Sequence, residues 1–201
     1  MKKELPIYRL RANDDAEAFN WEYTAFVDKP ATAELFMAFD EQRDYFEFKT
    51  IDEEKRIVMG PIMVANLPIY RKDPVTHEEF LVVFYPEDIH QLTQKHFKQG
   101  LNDQTNPMHK RALEFESVFM YQDWIINKEM GIGVPKGFND LPDGSLFGVF
   151  KVDNDAVWAD IKAGKYKGFS IEGKFRREPL VNLTEDEVND LTDALENSNL
   201  S

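Results

Sequence analysis

The chain of 201 residues contains no cysteine, which excludes disulfide bonds, thiolate zinc sites and a cysteine nucleophile. No apolar run approaches the roughly 18 residues that a membrane-spanning helix needs, and no apolar core follows the lysines at positions 2 and 3. We therefore expect a protein of a reducing compartment that is neither exported nor bound to a membrane.

Positive charge is scarce, since 24 Lys and Arg face 37 Asp and Glu, a net charge of −13. Binding to nucleic acid depends largely on basic side chains, so nucleic acid is not an expected partner. The imbalance is greatest after Arg177, where seven acidic residues and no Lys, Arg or His occur. We predict one domain at 1–178 and an acidic C-terminal tail at 179–201, with a short amphipathic helix that carries Val188, Leu191 and Leu195.

Apolar residues make up 42% of the chain and include 16 Phe, enough to build a core. Two segments have helical periodicity, one opened by Pro86 and closed by Gly100 and one at 153–163. The spacing of the remaining apolar residues predicts strands, the first of which form a meander. The strand-like segments are 5–10, 21–27, 35–39, 45–51, 56–65, 79–85, 112–126, 145–152 and 168–175.

One hydroxyl lies between two glycines in the segment GFSIEG at 168–173. Ser170 can be exposed at a strand end while Gly168 and Gly173 let another backbone approach, as an attacking hydroxyl and an oxyanion site require. The alternative is a polar residue on a half-buried strand, because the segment lacks the spacing of a nucleophile elbow.

A serine nucleophile needs a base, and the chain offers four histidines. His90 and His96 are six residues apart on a helix, too far around it to form a metal pair, and His77 lies in a turn. His109 follows a polar loop and is the best candidate for a general base, although a histidine at such a junction is usually structural. We expect neither a metal nor a cofactor.

Asp123 is the first candidate for a third catalytic residue. In an unbroken strand it shares one side with Phe115, Phe119 and Tyr121, where an acid needs a partner. A histidine is one such partner, and a salt bridge to Lys or Arg is equally compatible with the pattern.

The chain resembles the XkdF-like phage serine proteases, which are related to the prohead maturation proteases of tailed phages. The resemblance covers about 21–175, and no single motif in it is specific, whereas their order is. The motifs are VMGPIMV at 58–64, PIYR at 68–71, NPMH at 106–109, DWII at 123–126 and the block 150–173 that ends in GFSIEG.

This resemblance implies an α+β fold similar to that of the herpesvirus assemblins, with a mixed, mainly antiparallel sheet or barrel and a few flanking helices. It also implies Ser170 as the nucleophile and His109 as the base. Assemblins use a second histidine after the serine, which this chain lacks. An acid is expected instead: Asp123 first, then Glu116 or Glu172, and a dyad without a third residue stays open.

The resemblance also implies an endopeptidase that cleaves phage scaffold and major capsid proteins inside the assembling prohead, in the cytoplasm of the host bacterium. Self-association stays open. The alternative is a non-catalytic capsid- or scaffold-associated protein that keeps the fold. A third and weaker interpretation is a hydrolase of small molecules that uses the same serine.

Overall fold

The structure is a computed structural model that describes residues 4–13, 20–29, 47–73, 75–138 and 140–184. Eleven strands and two helices are formed by these residues. The strands are β1 (Glu4–Arg11), β2 (Trp21–Val27), β3 (Lys49–Asp52), β4 (Ile57–Met63), β5 (Ile69–Lys72), β6 (Glu79–Val83), β7 (Thr105–Pro107), β8 (Val118–Ile125), β9 (Leu146–Val152), β10 (Gly168–Gly173) and β11 (Arg176–Thr184); the helices are α1 (Pro86–Lys98) and α2 (Asp155–Lys162).

The strands form three sheets, with the orders β11-β1-β6-β5, β10-β2-β7 and β3-β4-β9-β8. Two neighbouring pairs are parallel, β1 with β6 and β2 with β7, and the other pairs are antiparallel. The prediction of a mixed, mainly antiparallel α+β fold is therefore confirmed. The barrel alternative is wrong for the described residues, because the three sheets are open, with edge strands at both ends.

Phenylalanine rings join the sheets in the largest part of the core. The ring of Phe169 on β10 lies 5.1 Å from that of Phe26 on β2 and 4.5 Å from that of Phe150 on β9. These three side chains are at most 2% exposed. Full burial of one such ring contributes about 2 to 3 kcal/mol, so this cluster fixes β10 against the third sheet.

Helix α1 begins and ends as its sequence predicts. Pro86 occupies its first turn, Gly100 follows its end with φ of +68°, and Ile89, Leu92 and His96 are buried. The buried Asp88 accepts a hydrogen bond from the backbone N–H of Tyr85 at 3.1 Å. Two further bonds from Arg9, at 2.7 and 2.9 Å, attach the helix to the first sheet.

Helix α2 is likewise close to its predicted position. The side chain of Asn154 accepts hydrogen bonds from the backbone N–H groups of Ala156 and Val157, both at 3.1 Å, which caps the helix. Its buried residues are Val157, Trp158 and Ile161. Only five residues separate Lys162 from β10, so this helix leads directly into the strand that carries Ser170.

Two expectations about strands change. The predicted extended run at 112–126 begins instead with a 3-10 turn (Arg111–Leu113), and β8 begins only at Val118. Ser117, with φ of +60°, lies in a turn that interrupts the extended run immediately before β8. The predicted strand at 35–39 lies outside the described residues.

The predicted boundary of the tail also moves. Pro179 lies inside β11, which pairs antiparallel with β1 as far as Thr184, so 179–184 belongs to the first sheet. Pairing with β1 satisfies backbone groups that a free tail would leave to water. The predicted tail helix lies outside the described residues. Neither α1 nor α2 has the length and hydropathy that a membrane span requires.

Candidate active site at the edge of the second sheet

Ser170 lies in the middle of β10, the edge strand of the second sheet, and is 3% exposed, so the expectation of a hydroxyl exposed at a strand end is wrong. Its register partner on β2 is Ala25, which pairs in turn with Asn106 on β7. Because register partners point to the same face of a sheet, Ser170, Ala25 and Asn106 share one face, opposite to the face that carries Phe169.

Glu172 follows Ser170 by two residues and therefore lies on the same face of β10. Its Oε1 accepts a hydrogen bond from Asn106 Nδ2 at 2.7 Å, and its Oε2 accepts one from Arg111 Nε at 3.0 Å. The side chain is only 12% exposed. Donors at both oxygens hold this carboxylate in one orientation.

His109 approaches the same carboxylate, with Nδ1 at 3.3 Å from Glu172 Oε1. Both Met108 and His109 have positive φ, +48° and +59°, so the chain turns sharply after β7. Two successive non-glycine residues in this region cost about 1 kcal/mol or more each, and such strain concentrates at functional sites. A carboxylate beside Nδ1 orients the ring so that Nε2 is left to accept a proton.

Arg111 connects this group to β2. Its guanidinium also donates to the carboxylate of Glu22 and lies 5.1 Å from the centre of the Tyr23 ring. The hydrogen bond to Glu172 is the main cause that raises the pKa of Arg111 above its ordinary value, so the cation is permanent. We refer to Glu172, Asn106, His109 and Arg111 as the Glu172 cluster.

Two hydrogen bonds that this region could form are absent among the described residues. The His109 ring and the Ser170 hydroxyl form no hydrogen bond with each other. The amide oxygen of Asn106 is buried and accepts none. Since an unpaired buried acceptor costs about 1 to 3 kcal/mol, a donor supplied by a bound molecule would stabilise the site.

Asp123 and Glu116 lie elsewhere. Asp123 is on β8, the edge strand of the third sheet, opposite Gly148 of β9, and burial raises the pKa of its carboxyl group. Glu116 is exposed before β8 begins. Within the described ranges, no hydrogen bond or ion pair joins either acid to His109 or Ser170. The acid that the structure brings to His109 is Glu172.

Asp123 does not lie on the predicted face of its strand, because a β-bulge interrupts β8. The register of β8 against β9 shifts between Met120 and Gln122, so Tyr121 is the extra residue and is 48% exposed. Residues after the bulge are displaced by one position, and Asp123 no longer shares the side of Phe115 and Phe119.

A cavity of about 590 Å³ opens beside Ser170, and we refer to it as the Ser170 cavity. The edge strands β5 and β10 both contribute to it, and its walls include Ile62, Ile69 and Phe80. The charged residues that line it are mainly basic: Arg71, Lys72, Arg111, Lys174 and Arg177, with the acids Asp73 and Glu172.

Two members of the Glu172 cluster were not singled out from the sequence. Asn106 belongs to the NPMH motif, but only its histidine indicated chemistry; Arg111, two residues after that histidine, had no distinguishing pattern. A basic residue so close to a candidate base was the available signal. No cluster of three or more His, Asp or Glu suited to a metal ion occurs within the described part of the chain.

The family model described as "putative phage serine protease XkdF" matches residues 46–178, about two thirds of the chain. The chain belongs to this family. Neither a curated protein nor a solved structure matches it. The description of the XkdF family names a phage serine protease, which is a hydrolase, and the match includes the whole Glu172 cluster together with Ser170.

The residues of the candidate site all lie within the part of the chain that the XkdF family model matches. Ser170 and the Glu172 cluster supply a hydroxyl, an imidazole and an oriented carboxylate beside a cavity. These are the side-chain types of a serine hydrolase. The register partners on β2 lie before residue 46, outside the family match.

Proposed function

We propose that this XkdF-family protein is a serine endopeptidase in which Ser170 is the nucleophile, His109 the general base and Glu172 the residue that orients the histidine. The observation that carries the proposal is the position of the Glu172 carboxylate, 3.3 Å from His109 Nδ1 and on the face of β10 that carries Ser170. Asp123 is not part of this mechanism.

In the first step the Ser170 oxygen attacks the scissile carbonyl while its proton passes to His109 Nε2. The carbonyl oxygen becomes an oxyanion, which backbone N–H groups stabilise. The protonated ring then donates to the leaving amine, the C–N bond breaks, and an acyl-enzyme remains. Water attacks this ester with His109 again as the base, which releases the acid and restores the serine.

Movement of the His109 ring completes this geometry. Its side chain is 46% exposed, which leaves room for a change of rotamer, and the mechanism requires the ring to turn toward Ser170. Catalytic hydrogen bonds are often long or misaligned before substrate binds. Closure onto a bound polypeptide would then bring the ring and hydroxyl together.

A polypeptide substrate suits the strands around the Ser170 cavity. β10 pairs only with β2 beyond the single bridge from Gly168 to Glu47, and β5 pairs only with β6 among the described strands. An edge strand offers backbone donors and acceptors to an extended chain. We infer cleavage of extended segments, and scaffold and major capsid proteins inside the assembling prohead, in the host cytoplasm, are the proposed substrates.

The test uses the full chain, a fluorophosphonate probe that acylates nucleophilic serines, and casein as an unstructured polypeptide. Wild type should be labelled at Ser170 and should cleave casein; Ser170→Ala should lose both, with a rate at least about 10³-fold lower. Circular dichroism and the melting temperature check that the variant is folded. Equal cleavage by the variant would contradict the proposal.

One observation favours the second candidate, a non-catalytic scaffold- or capsid-associated protein. The absence of a hydrogen bond between His109 and Ser170 in the described structure is compatible with a fold that has lost turnover. A folded wild-type protein that is neither labelled nor able to cleave casein or the phage scaffold protein would support this candidate.

A further inference from the structure

Two cations at the Ser170 cavity form no ion pair with a carboxylate of the described residues, Lys174 and Arg177. The Arg177 guanidinium lies 4.8 Å from the centre of the Phe80 ring, in the cavity wall. Asp73 also lines the cavity; the backbone N–H groups of Thr76 and Val75, each at 2.8 Å, are the main causes that lower the pKa of its carboxyl group, and the charge of Arg177 contributes. The cavity lining therefore carries more positive than negative charge, five cations against two carboxylates, in a chain whose net charge is −13.

The walls beneath these cations are apolar. Ile62, Ile69, Phe80 and Val82 come from three strands of two sheets and line a volume of about 590 Å³. A cavity of this size accepts several side chains. A ligand that contacts both the cations and the apolar walls of the cavity must combine apolar residues with negative charge.

The chain itself contains such a segment at 185–201. It carries six acidic residues and no Lys, Arg or His. Val188, Leu191 and Leu195 are spaced by three and four residues, so they would share one face of a helix while most of the acids point away from it.

The connection to β11 makes this segment a neighbour of the cavity. Arg177 and Thr184 are seven residues apart on that strand, about 23 Å at 3.3 Å per residue. The 17 residues after Thr184 span about 25 Å even when fully helical, and more when extended. The segment can therefore return to the cavity, and its tether gives it an effective concentration of the order of millimolar.

We propose that the Ser170 cavity is a binding site for an acidic amphipathic segment, and that residues 185–201 of the same chain are its occupant. The apolar residues of the segment enter the cavity, and its carboxylates pair with Lys174 and Arg177. That the bound segment covers a nucleophile, and so limits access of other polypeptides, rests on the proposed function; the binding itself does not.

The absence of cysteine allows a direct test in the full chain. A nitroxide is attached to Ser198→Cys in a Ser170→Ala background, so that cleavage cannot affect the outcome, and paramagnetic broadening of backbone amide signals is measured by NMR. We expect strong broadening at Val82 and Lys174 and little at Tyr121 and Trp124 on the edge of the third sheet.

The charge-reversed variant Lys174→Glu with Arg177→Glu should reduce this broadening at least fivefold, whereas Lys174→Arg with Arg177→Lys, the matched control, should retain it. Unchanged amide signals elsewhere check that both variants are folded. Broadening that is absent at the cavity, or equal in wild type and the charge-reversed variant, would overturn the proposal.

Mixing spin-labelled protein with unlabelled protein enriched in ¹⁵N separates contacts within one chain from contacts between copies. Broadening at the cavity that is as strong in such a mixture as in the spin-labelled protein alone would make a second copy the occupant and overturn the assignment to the same chain. The activity readout is separate: neutralising Glu185, Asp186 and Asp190 to the amides should raise casein cleavage several-fold. If the broadening is found and no casein is cleaved, the binding site stands and the proposed function fails.

Discussion

Two edge strands, β10 and β8, each carry a carboxylate close to the core, and the two carboxylates differ in their polar neighbours. Glu172 on β10 accepts hydrogen bonds from Asn106 and Arg111 and lies beside His109. Asp123 on β8 has no side-chain partner among the described residues, and burial raises the pKa of its carboxyl group. Partial burial alone does not make an acid part of a site; donors from neighbouring segments do.

The chain segment after β7 creates this difference. Parallel pairing with β2 places Asn106 two strands from β10, and the following turn and 3-10 turn bring His109 and Arg111 to the same carboxylate. Across from Asp123 the register partner is Gly148, which has no side chain. One edge thus receives three polar neighbours and the other none within the described structure.

Exchanging each acid for its amide should give the largest contrast. Glu172→Gln keeps the shape of the side chain but removes the charge beside His109, so we expect kcat for casein cleavage to fall by about 10² to 10⁴ with little change in KM. Asp123→Asn is the matched control and should stay within about twofold of wild type. Steady-state kinetics of both variants provides the measurement.

The opposite result would restore the assignment made from the sequence. If Asp123→Asn loses activity while Glu172→Gln keeps it, and both have wild-type melting temperatures, Asp123 acts through a conformation different from this one. Loss of activity in both variants would show that the different surroundings of the two carboxylates do not decide which of them is needed for activity.

Local patterns predicted the local elements well. Pro86 and Gly100 bounded α1, Asn154 capped α2, and the strand that carries Ser170 follows from its apolar content. These features depend on interactions between residues close in sequence, which helix capping and periodicity record directly.

The acid that lies beside His109 could not be predicted from such local patterns. Glu172 lies in the same motif as Ser170, yet Asp123 ranked above it because β8 was assumed to alternate without interruption. The bulge at Tyr121 and the parallel pairing of β7 with β2 decide the matter. Both depend on contacts between distant segments, for which strand periodicity carries no information.

Adding a methyl group beside each acid should give the next largest effect. A Cβ at Gly173 would overlap the backbone carbonyl of Asn20, which cannot move without breaking the pairing of β10 with β2. A Cβ at Gly148 would meet the ends of the Ile62 and Met120 side chains, which can shift. We expect Gly173→Ala to cost about 4 kcal/mol of unfolding free energy and Gly148→Ala about 1 to 2 kcal/mol.

Urea denaturation followed by tryptophan fluorescence measures both values. Gly133→Ala is the control, because a Cβ there would meet no atom within 4 Å. A cost at Gly173 equal to that at Gly148 would show that the edge of the second sheet is as adaptable as that of the third.

The contributions of His96 and Asp123 to the free energy of unfolding should change in opposite directions as the pH falls. Behind β2, the His96 ring stacks on Trp21 with centroids 3.8 Å apart, and burial lowers the pKa of His96 from 6.5 to about 4. Its contribution to stability is present above pH 6.5 and is lost as the pH falls toward 4, by about 3 kcal/mol. The raised pKa of Asp123 has the opposite sign, since its cost grows as the pH rises through that value.

Unfolding free energies between pH 7 and 4 test this difference. His96→Phe keeps an aromatic ring over Trp21 but cannot bind a proton, so we expect most of the acid-induced loss of stability to disappear in this variant, after a constant cost for the lost hydrogen bond to the Trp21 carbonyl. His90→Gln, on the exposed face of α1, should follow wild type. An equally steep loss of stability in His96→Phe would contradict the assignment of the acid sensitivity to His96.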